Sequence, residues 1–169
     1  MQILLLALAG MMAPFQLVQP GAPTDPVLVT QVSSGDAITV ASFGRVRLLG
    51  IAAPRIGRGF DNAAPFAFDA RDRLSGLVLH RWVRLEFERR ADGTWITGAA
   101  SVLLEDGTFV NALLVREGLA RVSGRTSARR AELLRAQEEA RAARRGLWDQ
   151  EQKIRRDQEE IGRKRCETP

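Results

Sequence analysis

The chain has little of the side-chain chemistry on which disulfide scaffolds, zinc sites and histidine-based active sites depend. It contains one cysteine, Cys166, and one histidine, His80. A single cysteine excludes an internal disulfide, and its place near the C-terminus indicates an incidental thiol rather than a nucleophile. No residue accompanies His80 at a recognisable catalytic or metal-binding spacing, so we predict that it lies at a helix end or in a turn.

Lysine is also scarce, since Lys153 and Lys164 are the only two in the sequence. The formal net charge is nevertheless +5 and the sequence pI about 10.8, so arginine supplies nearly all of the positive charge. A basic excess favours a polyanionic partner, either nucleic acid or an anionic membrane surface. The alternative is an arginine-rich surface that reflects a GC-rich genome.

The N-terminus carries an apolar run, Ile3 to Ala13, that is short for a membrane-spanning helix. Its length is typical of a signal peptide, although no lysine or arginine precedes it and the candidate cleavage residues Ala13 and Ala22 are each followed by proline. We therefore interpret residues 1–22 as a signal peptide or an N-terminal anchor. We expect a bacterial protein exported to the periplasm or secreted, with anchoring to the membrane as the alternative.

Three short strands are predicted near the start of the folded part. The β-branched and apolar runs Val27–Val32 and Ala37–Phe43 are separated by a Ser-Ser-Gly-Asp turn, and a second turn leads into residues 46–49. Helical spacing after Pro65 predicts a helix. Further strands are expected at 82–88 and 95–104, and further helices at 110–117 and 127–148.

This order of elements suits an α+β fold, mainly β, in which five strands close into a small barrel of the oligonucleotide-binding (OB) type. We assign residues 27–148 to this domain. Opposite charges alternate through residues 149–169, which we interpret as a charged tail, either a solvated helical extension or disordered.

Residues 34–55 resemble the active-site segment of the staphylococcal-nuclease-like (thermonuclease) family, in which an Asp-Gly-Asp-Thr turn leads to Val-Arg-Leu-Ile-Gly-Ile-Asp-Ala-Pro-Glu. The shared residues are Gly35, Asp36, Arg47, Leu48, Gly50, Ile51 and Pro54. Further segments resemble the family in the same order, and they are Pro65–Leu74, Val83–Glu86, Asp106–Ala120 and Arg145–Trp148. The resemblance implies the family's five-stranded OB barrel with three helices.

Several positions to which the family assigns its chemistry are replaced here. Ala52 stands where the family has a metal-binding aspartate, and Arg55 stands in place of its general-base glutamate. Gly98 occupies the position of the family's second catalytic arginine. No arginine or lysine occurs between Arg90 and Arg116 that could replace it. The family's turn aspartate and threonine are Ser34 and Ala37 here.

Two positions of the family's site are retained. The resemblance assigns Arg47 to a catalytic arginine, whose planar fork suits a phosphate, and Asp36 to a calcium ligand. A single carboxylate makes a poor calcium site, so we expect no cofactor although the family uses calcium. The alternatives are a turn role for Asp36 and a structural ion pair for Arg47.

We therefore predict a nuclease-like barrel that has lost phosphodiesterase activity and acts as a binding or structural module. Single-stranded DNA or RNA is the expected partner, contacted by Arg45, Arg47 and Arg55. One alternative is an active or weak calcium-dependent nuclease in which Asp61 or Glu86 rebuilds the site. Another is an envelope module that binds a protein partner through residues 149–169.

The three tryptophans, Trp82, Trp95 and Trp148, are predicted to lie in the core or at the barrel edge. One of them could instead stack a nucleic-acid base, as barrels of this type allow.

Overall fold

The computed structural model describes residues 23–57, 62–90, 92–124, 127–149, 153–154 and 158. The predicted signal or anchor lies outside the described residues, as does most of the charged tail. None of the helices in the described ranges is both long and apolar enough to cross a membrane. The elements are β1 (Val27–Ser34), β2 (Ala37–Val40), β3 (Gly44–Leu48), β4 (Ile51–Ala52), α1 (Ala67–Val78), β5 (Trp82–Glu86), β6 (Ala99–Leu103), α2 (Val110–Arg116), β7 (Arg121–Val122) and α3 (Arg130–Ala142).

Five of these strands close into a barrel in the order β1-β2-β3-β6-β5. The first three strands form an antiparallel meander, β3 pairs in parallel with β6, and β1 closes the barrel by pairing with β5 through Val27 and Val83. The predicted α+β fold, a five-stranded barrel accompanied by three helices among the described residues, is confirmed.

Alternation along the strands separates the barrel interior from its surface. In β3, Val46 and Leu48 are buried whereas Arg45 and Arg47 are exposed, because successive side chains of a strand point to opposite faces. Residues of all three helices join the same core. Its largest fully buried apolar side chains are Ile38, Leu74, Leu85, Leu114 and Leu133. Burying each such side chain stabilises the fold by roughly 1.5–3 kcal/mol.

The prediction of one long helix over residues 127–148 was wrong at both ends, since α3 begins at Arg130 and ends at Ala142. Arg144 and Gly146 both have a φ of 51°, a left-handed conformation that a helix cannot continue through. At Gly146 a Cβ would lie 2.5 Å from the Gly118 carbonyl oxygen, which accepts the N–H of Leu147 at 3.0 Å. We call this backbone contact between Gly118 and Gly146 the glycine clasp, and it holds Trp148 in a buried position.

Two strands also differ from the prediction. β2 ends at Val40 rather than Phe43, and β6 begins at Ala99 rather than Trp95. Gly98 has a φ of 73°, so the extended backbone is interrupted immediately before β6. The short antiparallel pair β4–β7 was not predicted from the sequence, and it places Ala52 opposite Arg121.

Candidate functional site

The turn between β1 and β2 is held tightly against two neighbouring elements. A Cβ on Gly35 would lie 2.5 Å from the Cβ of Ala70 in α1 and 2.8 Å from the Cβ of Ala53. Only glycine fits this close approach without a shift of the neighbours. The turn therefore fixes the position of the next residue, Asp36, whose backbone carbonyl accepts the N–H of Leu48 at 2.9 Å.

Both carboxylate oxygens of Asp36 accept a hydrogen bond. Ser34 Oγ donates to Oδ1 at 2.7 Å, and Arg47 Nη2 donates to Oδ2 at 2.7 Å. The side chain of Asp36 is 11% exposed, whereas that of Arg47 is 65% exposed. The carboxylate is thus nearly buried, while most of the Arg47 side chain faces solvent.

The two residues that the sequence assigned to the family's site therefore form an ion pair with each other. Ser34, which stands where the family has an aspartate, supplies a neutral donor to this pair. The turn position expected as the alternative for Asp36 is observed, and its carboxylate is bonded to the retained arginine. Ion pairing of Arg47, which was the structural alternative, is observed.

The other two predicted nucleic-acid contacts, Arg45 and Arg55, are both exposed. Arg45 lies on the same outward face of β3 as Arg47, with Val46 buried between them. Arg55 follows β4, and its carbonyl accepts the N–H of Ala64 at 2.9 Å. Within the described part of the chain, neither Arg45 nor Arg55 makes a side-chain ion pair or hydrogen bond.

Around Ala52 the surface is mainly apolar. A cavity of about 390 Å³ is lined by Ala52, Ala53, Pro54, Ala64, Pro65, Arg121, Leu147 and Ile154. The side chain nearest in register to Ala52 is the cation Arg121 on β7. Where the family has its second metal-binding aspartate, this chain therefore has the methyl group of Ala52. Its neighbours are apolar residues and the cation Arg121.

Gly98, on the position of the family's second arginine, lies beside Arg47. Its carbonyl oxygen accepts the Arg47 N–H at 2.8 Å, where β3 and β6 meet. A Cβ built on Gly98 would meet no atom within 4 Å. Space for a side chain exists, but the positive φ makes the backbone strained for any residue other than glycine.

Of the two carboxylates proposed to rebuild the site, only Glu86 belongs to the described residues. Asp61 lies outside the described residues. Glu86 is paired with Arg129, which donates from Nε to Oε2 at 2.8 Å and from Nη2 to Oε1 at 3.0 Å. Among the described residues, no group of three or more His, Cys, Asp or Glu side chains is placed to hold a metal ion. Calcium takes six to eight oxygen ligands, and Asp36 with both oxygens hydrogen-bonded does not fit that requirement.

Glu86 and Arg129 form a second, buried ion pair that sequence reasoning missed. The hydrogen bonds to Glu86 raise the pKa of Arg129 above its usual value. Glu88 lies nearby at 1% exposure, where Ser127 Oγ and the Ala128 N–H donate to its carboxylate. These contacts attach the end of β5 to the start of α3, and the separation of the partners along the chain left no local pattern to reveal them.

His80 was predicted to lie at a helix end or in a turn, and the three tryptophans in the core or at the barrel edge. His80 has a φ of 57° and follows α1, so the expected turn position is confirmed. Trp148 is buried, whereas Trp82 and Trp95 are about half exposed at 52% and 47%. One of the three tryptophans is therefore in the core, and the other two lie at the surface.

A closed five-stranded barrel with a polar turn facing a strand arginine defines a nuclease-like OB domain. Comparison with known proteins is consistent with this class. The family model described as Staphylococcal nuclease homologue matches residues 45–150, which is more than half of the chain, and the chain belongs to this family. The chain is also 29% identical over 161 residues to the thermonuclease of Staphylococcus intermedius, an alignment that covers 87% of this chain and 95% of that protein.

Proposed function

We propose that this domain binds single-stranded nucleic acid without hydrolysing it, through phosphate contacts made by Arg45, Arg47 and Arg55. The observation that carries the proposal is the Asp36–Arg47 ion pair. Each carboxylate oxygen of Asp36 accepts one hydrogen bond, while the Arg47 side chain remains 65% exposed at the position that the family uses for phosphate. A guanidinium has five N–H donors, so one bond to Asp36 leaves others for a ligand.

Hydrolysis of a phosphodiester needs a base to activate water and donors or a metal to stabilise the developing charge. The family's base position carries the cation Arg55, which cannot accept a proton near neutral pH. Its second arginine position carries Gly98, which offers no side-chain donor. Loss of one such donor alone typically lowers kcat about 10²–10³-fold, and here the base and one aspartate are replaced as well.

Binding requires only positive charge in a suitable arrangement. Arg45 and Arg47 lie two residues apart on one outward face, so both can meet a phosphate backbone that runs along β3. Replacement of a glutamate by Arg55 changes the local charge from −1 to +1, which favours a bound anion. Because the contacts are to phosphates, affinity is expected to depend on salt and little on base sequence.

Two measurements on the full chain distinguish binding of nucleic acid from its hydrolysis. In the first, single-stranded DNA and RNA are incubated with calcium, and no turnover is expected. Robust turnover that disappears in Asp36→Ala would overturn the proposal and favour the active nuclease with a rebuilt site.

In the second measurement, the affinity for a single-stranded oligonucleotide is followed by fluorescence anisotropy at increasing salt, with and without calcium. We expect binding that weakens with salt and does not need calcium. Absence of salt-dependent binding at low ionic strength would remove the polyanion proposal and leave Arg47 as a structural residue.

Restoring two family residues gives a positive control for the metal site. The double variant Ala52→Asp, Arg55→Glu restores the carboxylates at the family's metal-binding and base positions, and we expect calcium to stabilise it in thermal unfolding. The same variant is expected to bind oligonucleotide more weakly than the unaltered chain, because it loses one cation and gains two anions.

A further inference from the structure

The cavity of about 390 Å³ beside Ala52 has one charged side chain among apolar walls. Of the described residues that line it, only Arg121 carries a charge, and the others are alanine, proline, leucine and isoleucine. Ligand sites in proteins are commonly built in this way, with apolar walls and a few polar groups that fix the ligand. A cation in such a wall favours an occupant that carries a negative charge.

The short strand β7 directs Arg121 to the same face as Ala52. The two residues lie directly opposite each other in the antiparallel β4–β7 pair, and opposite residues of such a pair project from the same face of the sheet. The backbone next to Arg121 is held further by α3 and by the end of β3. Gln137 Oε1 accepts the N–H of Val122, and the Gly50 carbonyl accepts the N–H of Ser123, both at 2.9 Å.

The guanidinium of Arg121 is held by an aromatic ring. Its central carbon lies 4.7 Å from the centre of the Trp148 ring, and Trp148 is itself buried at 5% exposure. Stacking uses the flat face of a guanidinium, whereas its five N–H donors lie around the edge of the plane. The ring therefore orients the cation without using the donors that bind a phosphate.

The cavity adjoins the phosphate-binding surface proposed above. Ala53 lines the cavity and also contacts the β1–β2 turn, because a Cβ built on Gly35 would lie 2.8 Å from the Ala53 Cβ. The residue after Gly35 is Asp36, which is the partner of Arg47. The turn that carries the Asp36–Arg47 pair therefore packs directly against the wall of the cavity.

We propose that Arg121 binds a phosphate of the nucleic-acid strand at this cavity, as a fourth arginine besides Arg45, Arg47 and Arg55. The inference rests on the proposed function and adds a phosphate subsite to it. Arg55 directly follows the lining residue Pro54, so a second cation stands at the same cavity. Hydrogen bonds from a guanidinium to phosphate are charge-assisted, and apolar walls strengthen them because they lower the local dielectric constant.

The test compares two arginines that stack on the same ring. The guanidinium carbon of Arg141 lies 4.4 Å from the centre of the Trp148 ring, but Arg141 belongs to α3 and is not among the residues that line the cavity. Arg121→Gln and Arg141→Gln each remove one positive charge and one contact with Trp148. They therefore separate a phosphate contact from a change of net charge or of ring packing.

We expect Arg121→Gln to weaken the binding of a short oligothymidine about tenfold at low salt. The magnitude of its salt slope should fall by about one unit, since one phosphate contact is lost. Arg141→Gln is expected to leave the affinity and the salt slope unchanged. Fluorescence anisotropy at increasing salt measures both quantities.

A third variant, Arg121→Lys, keeps the charge but loses the planar donor fork. We expect it to retain the salt slope of the unaltered chain, with an affinity between those of the unaltered chain and Arg121→Gln. Urea unfolding of each variant shows that a loss of affinity does not come from a loss of fold.

Salt-dependent binding by the unaltered chain that is unchanged in Arg121→Gln would overturn the Arg121 contact and leave the proposed function intact. Equal losses in Arg121→Gln and Arg141→Gln would also refute the contact, because net charge or ring packing would then explain them. Absence of oligothymidine binding by the unaltered chain would overturn both proposals. Loss of thymidine monophosphate binding in Arg121→Gln, with oligothymidine affinity unchanged, would assign the cavity to a free nucleotide and refute the strand contact.

Discussion

Two arginine–carboxylate pairs in this domain have the same chemistry in different surroundings. Arg47 and Asp36 share one hydrogen bond, and the arginine side chain is 65% exposed. Arg129 and Glu86 share two hydrogen bonds, and their side chains are 26% and 9% exposed. Arg129 also lies over the Phe109 ring, with its guanidinium carbon 4.8 Å from the ring centre.

The difference in exposure between the two arginines indicates which of them can bind a ligand. Arg129 is occupied by a bidentate carboxylate and an aromatic ring, so its removal leaves a buried anion without a partner. Arg47 keeps most of its surface in water, where an ion pair adds little to stability. Burial, rather than the presence of a partner, separates a structural arginine from one available for binding.

The largest expected effect is on stability, in Arg129→Ala. Glu86 would remain almost buried with its charge uncompensated, and loss of one partner of a buried pair typically costs about 3–5 kcal/mol. Because Arg129 is partly exposed, we expect the lower end, about 3 kcal/mol, in urea unfolding. Nucleic-acid affinity of the folded fraction is expected to be unchanged. A loss below about 1 kcal/mol would mean that the two pairs are energetically alike.

Arg47→Ala is expected to show the reverse pattern. The free energy of unfolding should fall by less than in Arg129→Ala, because loss of the 65% exposed Arg47 side chain opens the buried Asp36 carboxylate to water, which can then solvate its charge. Affinity for a single-stranded oligonucleotide should weaken, and the magnitude of the salt slope should decrease by about one unit if Arg47 meets one phosphate. Arg73→Ala, which removes an exposed arginine paired with Glu117, is the control and should leave affinity unchanged. A salt slope unaltered by Arg47→Ala contradicts the predicted contact.

Asp36→Asn sharpens the comparison further, because it removes the negative charge next to Arg47 while preserving side-chain size. We expect affinity for oligonucleotide to increase about two- to fivefold, which corresponds to less than about 1 kcal/mol. Anisotropy titrations at low and high salt measure this change. Weaker binding in Asp36→Asn would show that the carboxylate orients Arg47 more than it repels the ligand.

The smallest effect is expected for a carboxylate held only by uncharged donors. The N–H and hydroxyl of Thr108 lower the pKa of Asp106 below its ordinary value of 3.8. Its folded-state pKa is depressed, so its contribution to stability is present above about pH 4 and is lost as the pH falls through the folded-state pKa. Thermal unfolding of Asp106→Asn should therefore depend less on pH below about pH 4 than that of the unaltered chain. Parallel pH profiles for the two proteins would contradict this assignment.

The meander β1–β3, the first helix and α2 could be predicted because their signals are local. Turn residues and alternation lie within each segment, as with Val46 and Leu48 inward and Arg45 and Arg47 outward. The end of α3 was missed because it depends on the glycine clasp, which joins residues from two distant segments.

In the candidate site, too, only the residues that belong to a local sequence pattern could be predicted. Asp36 and Arg47 could be identified from a short motif, and their mutual contact follows from the pairing of β2 with β3. The Glu86–Arg129 pair could not be identified in this way, because its two residues lie far apart in the chain. Exposure of Trp95 is likewise a property of the packed barrel and not of its neighbours in sequence.

The glycine clasp has a consequence for the order in which the domain is completed during synthesis. Its second half, Gly146 to Trp148, leaves the ribosome after α3, yet Trp148 becomes one of the buried side chains. The barrel strands are synthesised earlier but lack this closing contact. The emerging chain therefore remains without the glycine clasp, and without the burial of Trp148, until residue 148 has left the ribosome.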